Sequence, residues 1–226
     1  PEFTMLESYA AYWDEEQMMK FVEGLFLNLA KLSFIRNYGG STSIVKQFAR
    51  VTFKDLLKRY ALITDYDRES RESLTKRAKR LGVKVAPYET KGKIADEIYK
   101  KICRPYLIQP TFVINHPLDI SPLAKKSEKE VEVRRFQLIA GGMELANGFA
   151  ELNDPLDQRK RFEEQEKTRR EGEEEAHRAD EDYLEAIEYG LPPAAGLGIG
   201  IDRVVMFFTN TKNIREVILF PTMRPK

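Results

Sequence analysis

Three groups of residues have the types and the spacing to do chemistry. Gly196, Gly198 and Gly200 alternate with Leu197, Ile199 and Ile201, and Asp202 and Arg203 follow at once. Successive side chains in a strand point to opposite faces, so one face here is bare and the other buries bulky apolar groups. A bare strand face marks close approach by a ligand or by another backbone. A guanidinium fixed at its end suits a flat ring beside phosphates. The same pattern also fits a tight strand–helix packing corner with Arg203 solvated. The second group is Phe3, Met5, Glu7 and Tyr9, which share one parity near the start of the chain. The third is Glu144, Asn147, Phe149 and Glu151.

Three carboxylates, Glu7, Glu144 and Glu151, fall in these groups. Oxygen donors without His or Cys favour a hard cation such as magnesium, held by one or two carboxylates and substrate phosphates. A carboxylate beside a phenol, as Glu151 beside Tyr9, can instead grip an ammonium group. With Arg203 for phosphate and Phe3 for stacking on a base, the inventory matches a nucleotide site next to an amine site. For Glu7 the competing reading is a carboxylate facing solvent at a sheet edge; on a buried face it needs a cationic partner.

The elements that must position these groups follow from periodicity. Residues 2–10 alternate as a strand. Met18, Phe21, Val22, Leu25, Phe26 and Leu29 recur at helical steps between Asp14 and Lys31. Residues 33–43 are looser and broken by Gly39-Gly40. A short strand from Phe48 to Val51 leads to Thr52, an N-cap for a helix through Leu56, Leu57 and Tyr60. Residues 65–104 read as a small helical insertion at the sheet edge, with charged helices near Glu69–Leu81 and Lys91–Ile102. Leu107–Asn115 is strand-like, with Pro110 marking an edge or a start, and His116–Ala124 reads as a loop. Val131–Ala140 and Met143–Leu152 form a hairpin turned at Gly141-Gly142. Asn147, Phe149 and Glu151 share a face; Glu144 has the other parity and joins them only through a bulge near Ala146 or Gly148. Residues 154–188 intersperse charges of both signs, which suits a solvent-laced helix, with a second helix from Glu181 to Glu188. Asp202 caps a helix through Val204–Phe208, and Val217–Phe220 reads as one more buried strand.

The bulk composition narrows the class. In 226 residues, 42% are hydrophobic and 32% charged, as in a globular protein with a sizeable core. A net charge of +1 rules out a global field for nucleic acid, so RNA contact would be local. Cys103 alone forms no internal disulfide, and His116 and His177 are too few for a Cys/His zinc cage. That usage points to a reducing, cytoplasmic setting. No uncharged apolar run approaches the ~18 residues of a membrane span, and no signal peptide is visible. The opening Pro1-Glu-Phe-Thr has no initiator Met and starts inside a strand-like pattern, as in a piece of a longer chain.

These segments also carry a family resemblance. Glu2-Phe-Thr-Met-Leu-Glu7-Ser-Tyr9 resembles the second half of motif 2 of class II aminoacyl-tRNA synthetases, and Gly196-Leu-Gly-Ile-Gly-Ile-Asp-Arg203 resembles their motif 3. Leu107-Ile-Gln-Pro-Thr-Phe, Ser121-Pro-Leu-Ala and Asn147-Gly-Phe-Ala-Glu-Leu-Asn-Asp-Pro155 are similar to the lysyl branch rather than to its aspartyl or asparaginyl relatives. The similarity runs from the first residue to the last. It implies an α+β fold: an antiparallel class II catalytic sheet flanked by helices and incomplete at its N-terminus, with the whole of 1–226 a partial catalytic domain.

The resemblance also implies roles. Phe3 would stack on adenine, Arg203 would hold the γ-phosphate as the catalytic cation, and Gly196, Gly198 and Gly200 would floor the ATP pocket. Glu7 would meet the α-amino group of lysine, Asn147 its carboxylate, and Tyr9 and Glu151 its ε-ammonium, with Phe149 along the stem. Glu144 would carry magnesium on the phosphates of ATP. Lysine would be activated to lysyl-adenylate and passed to tRNA(Lys) by a full-length homodimer. Two departures stand out. Gln137 occupies the position of a second metal-binding Glu, which puts additional magnesium in doubt. Motif 1, the first half of motif 2 and the anticodon-binding domain would all precede residue 1, so this polypeptide alone is expected not to activate lysine. The alternatives are a paralogue acting as a binding or regulatory module and a ligase that lysylates proteins.

Overall fold

The computed structural model of the chain describes residues 2–32, 47–128, 131–170, 172 and 179–222. The looser stretch at 33–43, His177 and the acidic run at 173–175 lie outside them. Six strands form one sheet: β1 (Met5–Ala11), β2 (Ala49–Thr52), β3 (Thr111–Pro117), β4 (Glu132–Ala140), β5 (Met143–Ala150) and β6 (Ala194–Gly200), in the order β1-β6-β5-β4-β3-β2. Every pairing is antiparallel except that of β2 with β3. Among the described residues seven α-helices flank it: α1 (Glu15–Leu29), α2 (Phe53–Ala61), α3 (Arg71–Arg80), α4 (Lys91–Ile98), α5 (Pro155–Arg170), α6 (Glu181–Glu188) and α7 (Ile201–Thr209).

The chain alternation divides the sheet into two faces. One buries Phe112, Phe136, Leu138, Ala146, Ala195, Leu197 and Ile199 against α1 (Met18, Met19, Val22, Phe26) and α7 (Val204, Phe208). The helical periodicity read at 18–29 is what supplies that cover; Asp14 starts the helix with a reciprocal capping box to Gln17. The other face is covered only in part. Val113 and Ile139 join a second core with Phe53, Leu56, Leu57, Leu74, Ile94 and Tyr99. The helices of the 65–104 segment therefore pack over β3 and β4 instead of sitting at an edge. Where β1, β6 and β5 continue that face, the cleft forms.

Several local expectations change. Phe3, Met5 and Tyr9 are exposed at 70%, 49% and 68%, and Glu7 is exposed too, because β1 is an edge strand whose inner face floors the open cleft. His116 is no loop residue: it pairs with Val133 in β3 and is fully buried. Asp202 does not cap α7. The N-cap is Gly200, and Asp202 lies in the first turn, accepting a hydrogen bond from the Thr4 amide at 2.8 Å. Val217–Phe220 forms no strand; it follows a 3-10 turn at Ile214–Glu216 and leaves Leu219 and Phe220 about nine-tenths exposed. Four apolar residues carry no period that separates a strand from a turn. The charged helix α5 is not wholly solvated, since it buries Gln158, Arg161 and Phe162. Arg161 donates to the Ala124 carbonyl at 2.6 Å and pairs with Asp157. The turn at Gly141-Gly142 has φ of +58° and +73°, the paired left-handed conformation of a two-residue hairpin, as the two glycines require.

Candidate active site

Register places the site residues in rows across the sheet. One row runs Glu7–Gly198–Asn147–Gln137 and the next Tyr9–Gly196–Phe149–Arg135. Paired residues point to the same face, so each glycine removes the side chain that would stand between β1 and β5. The result is an open cleft of about 560 Å³ lined by Phe3, Glu7, Tyr9, Glu144, Asn147, Phe149, Glu151, Gly196, Gly198, Gly200 and Arg203. All the residues singled out for binding line this one cavity except Gln137, which lies beneath it.

Glu144 reaches the cleft by a bulge. Leu138 pairs with Ala146 but Ile139 pairs with Glu144, so Leu145 is the extra residue. Leu145 turns into the core, 1% exposed, and the skipped position restores Glu144 to the face of Asn147. The bulge lies one residue before the position read from the sequence. At the same end, the Arg203 Nη1 donates to the Glu144 carbonyl at 3.1 Å, tying α7 to β5.

The other end of the cleft is built around Glu151. Its Oε1 is buried and has no hydrogen-bond partner, and burial pushes the carboxyl up to about 7. The Tyr9 ring lies over Gly196 beside that oxygen. The Tyr9 hydroxyl donates to Glu7 Oε2 over a long 3.4 Å, and its pKa is raised by burial first, then by Glu7 and Glu151. Tyr183 of α6, which sequence reasoning missed, is raised by burial and by the same Glu151 and Tyr9. A buried carboxylate oxygen without a partner costs free energy unless a cation or donor joins it.

Arg135 was also missed. Its Nε donates to Asn147 Oδ1 at 2.9 Å, and its Nη1 donates to the Ile120 carbonyl and to Ser121 Oγ at 3.1 and 3.0 Å. With Oδ1 occupied, Asn147 offers only its NH₂ to the cleft, so it is set to donate to an acceptor such as a carboxylate. Nothing in the spacing of Arg135 marks it; its partners are 12 to 15 residues away.

Gln137 completes the floor. Its Nε2 donates to Glu144 Oε2 at 2.9 Å, while its Oε1 lies 3.2 Å from Nε2 of His116. Burial, with Arg135 nearby, lowers the imidazole to about 3, so His116 is neutral at ordinary pH. Among the described residues no group of three or more His, Cys, Asp or Glu could hold a metal ion. A magnesium ion arriving with phosphates fits the single carboxylate of Glu144. The Gln137 amide oxygen faces His116 instead of the cleft.

A sheet antiparallel except for β2 with β3, a glycine-faced β6, Arg203 at its end and an acidic edge strand are the arrangement that the resemblance to class II synthetases implies. A family model described as tRNA synthetases class II (D, K and N) matches residues 1–224, and the chain belongs to that family. Within it, the chain is similar to proteins named lysine–tRNA ligase. The relative from Moorella thermoacetica is 45% identical over 232 residues, covering 100% of this chain and 47% of the relative. That from Listeria welshimeri is 47% identical over 234 residues, covering 99% and 46%, and that from Enterococcus faecalis 44% over 229 residues, covering 99% and 46%. The chain thus spans slightly under half the length of the curated relatives it matches.

Proposed function

We propose that the cleft binds lysine and ATP and that the chain supplies this part of a lysine–tRNA ligase. The observation that carries the reading is Glu151, a half-buried carboxylate whose buried Oε1 has no partner, beside Tyr9 in the cleft. The ε-ammonium pairs with Glu151 and Tyr9, and the stem runs along Phe149. Asn147 donates to the lysine carboxylate and Glu7 accepts from the α-amino group. Phe3 stacks on adenine above the bare strand face of Gly196, Gly198 and Gly200, and Arg203 meets the γ-phosphate.

In the reaction, a lysine carboxylate oxygen attacks the α-phosphorus of ATP. The new C–O–P bond forms as the bond to pyrophosphate breaks, giving lysyl-adenylate. A terminal ribose hydroxyl of tRNA(Lys) then takes the lysyl group and AMP leaves. No covalent bond to the protein is needed, so these residues act by positioning and by placing charge. Glu144 would hold a magnesium ion against the phosphates, and that ion when bound would neutralise charge on ATP. Arg203 is the only Lys or Arg among the described lining residues. This chain alone is therefore proposed to bind its ligands without sustained turnover, which ATP–pyrophosphate exchange measures. The whole protein is proposed to act as a homodimer in the cytoplasm. The lone Cys103, buried with its thiol pushed up to about 12, agrees with a reducing setting. Among the described residues no helix is long and apolar enough to cross a membrane.

Calorimetric titration of the chain with lysine and with norleucine, which lacks only the ε-amine, tests the reading. Lysine is expected to bind at least ~100-fold more tightly, because norleucine leaves the buried carboxylate unpaired. Equal affinities, or lysine binding unchanged in Glu151→Gln, overturn it.

A further inference from the structure

The cleft floor contains a buried polar chain that substrate binding does not use. His116, 0% exposed, faces Gln137, 4% exposed, and Gln137 faces Glu144. We infer that Gln137 is a positioning donor that orients Glu144, and that His116 holds the Gln137 amide in that role by closing off its oxygen. The inference rests on the proposed role of Glu144 at the phosphates.

The argument is one of donor and acceptor matching. An ionised carboxylate only accepts hydrogen bonds, so the atom of Gln137 at 2.9 Å from Glu144 Oε2 must be the NH₂. Turning the amide over would set two acceptor oxygens at that separation. The amide oxygen is then left facing His116 Nε2, which satisfies it only when that nitrogen carries the imidazole proton. His116 Nδ1, the nitrogen without the proton in this tautomer, is buried and makes no hydrogen bond. The His116 ring is held in place by Phe53, with ring centroids 5.5 Å apart. The carboxylate therefore dictates the amide orientation and the amide dictates the imidazole tautomer, while the packed ring holds the amide from behind. The cleft presents one carboxylate to a cation, with a neutral amide behind it that already donates to it. Gln137 acts through Glu144 and is not itself a ligand.

The test uses the full chain labelled with ¹⁵N and needs neither lysine nor ATP. The Gln137 side-chain NH₂ protons are expected to be resolved and to exchange at least ~10-fold more slowly than those of the exposed Gln109. His116→Phe, which keeps a ring but removes the donor, should bring them close to the Gln109 rate. His116→Gln, which restores a donor, should recover part of the protection. Binding of Mn²⁺ to the chain alone, followed by the loss of its free-ion paramagnetic resonance signal, gives a readout independent of how the His116 variants fold. Gln137→Glu should tighten Mn²⁺ by ~10-fold or more by adding a second carboxylate. Fast exchange of the Gln137 NH₂ in the native chain overturns the inference. So does a Mn²⁺ affinity that Gln137→Glu leaves unchanged, since it would mean that the native amide already ligates as well as a carboxylate. A failure of lysine to bind leaves the exchange result standing, so the two readings fail separately.

Discussion

Oε1 of Glu151 lies inside the volume that a methyl group on Gly196 would fill, and the Tyr9 ring is 3.1 Å from the same point. The glycine therefore makes room for the acid, which is distant in sequence but adjacent across the pairing of β5 with β6. Gly196→Ala is expected to push Glu151 and Tyr9 out of line and to weaken lysine by at least ~10-fold. Since the displaced groups face an open cleft, the melting temperature should fall by only a few degrees. Calorimetry and a thermal scan on the same variant separate the two effects.

The raised carboxyl of Glu151 makes lysine binding depend on pH. In the ligand-free chain the proton stays on up to about 7, compared with an ordinary value of 4.5. A carboxyl whose pKa is raised on folding contributes most where it is protonated in both the folded and the unfolded chain. That contribution is complete at low pH and is lost as pH climbs from about 4.5 through about 7. Lysine demands the ionised form, so its affinity runs the other way and rises over the same interval. At pH 7 about half a proton should leave per lysine bound, detectable as a dependence of the binding heat on the ionisation enthalpy of the buffer. Glu151→Gln should flatten both profiles.

Arg135 supports Asn147 from below, and its removal should be felt in both stability and affinity. Arg135→Met strands the Asn147 oxygen and frees the Ile120 carbonyl and Ser121 hydroxyl. The loss of several hydrogen bonds from a charged group is expected to cost about 2–4 kcal/mol, read from the urea midpoint. Lysine affinity should fall as well, because the Asn147 amide is then free to turn its oxygen to the substrate carboxylate. Arg135→Lys should rescue little: one ammonium cannot span the fork that reaches Asn147 and Ser121 together.

The parts of the site that were legible in the sequence share one property: they are periodic. The alternation of Gly196, Gly198 and Gly200 with Leu197 and Ile199 fixed both faces of β6, and the parity of Phe3, Glu7 and Tyr9 fixed that of β1. Even the bulge under Glu144 was required by parity, although its residue, Leu145, was not. What stayed hidden depends on contacts between distant positions. Arg135 and His116 sit in strands with ordinary patterning, and only the pairing of β3 with β4 and β5 gives them their partners. Asp202 was misread because an acid at the start of a helix ordinarily caps it. Here Gly200 ends the strand without a break and the acid serves β1 instead. The burial of Val217–Phe220 was misjudged because composition alone does not specify a partner.

That service of Asp202 to β1 has a consequence for the nucleotide end of the cleft. The Asp202 carboxylate accepts from the Thr4 amide at 2.8 Å, and the Thr4 carbonyl accepts from the Ile201 amide at 2.9 Å. These two bonds clasp the start of β1 to α7, and Phe3, 70% exposed, is the residue immediately before the clasp. Stacking on adenine requires that ring to stay in one place, which the clasp at Thr4 provides. Asp202→Ala removes one of the two bonds, at a cost of about 1–2 kcal/mol for a charged acceptor on a backbone donor. Amide exchange at Thr4 should quicken by about tenfold, and an ATP analogue should bind several-fold more weakly. Glu151 and Asn147 are anchored through β5 and β6, so lysine affinity should hold. If the ATP analogue is unaffected while the Thr4 amide exchanges faster, adenine is not held by Phe3, and the base must sit elsewhere along the cleft.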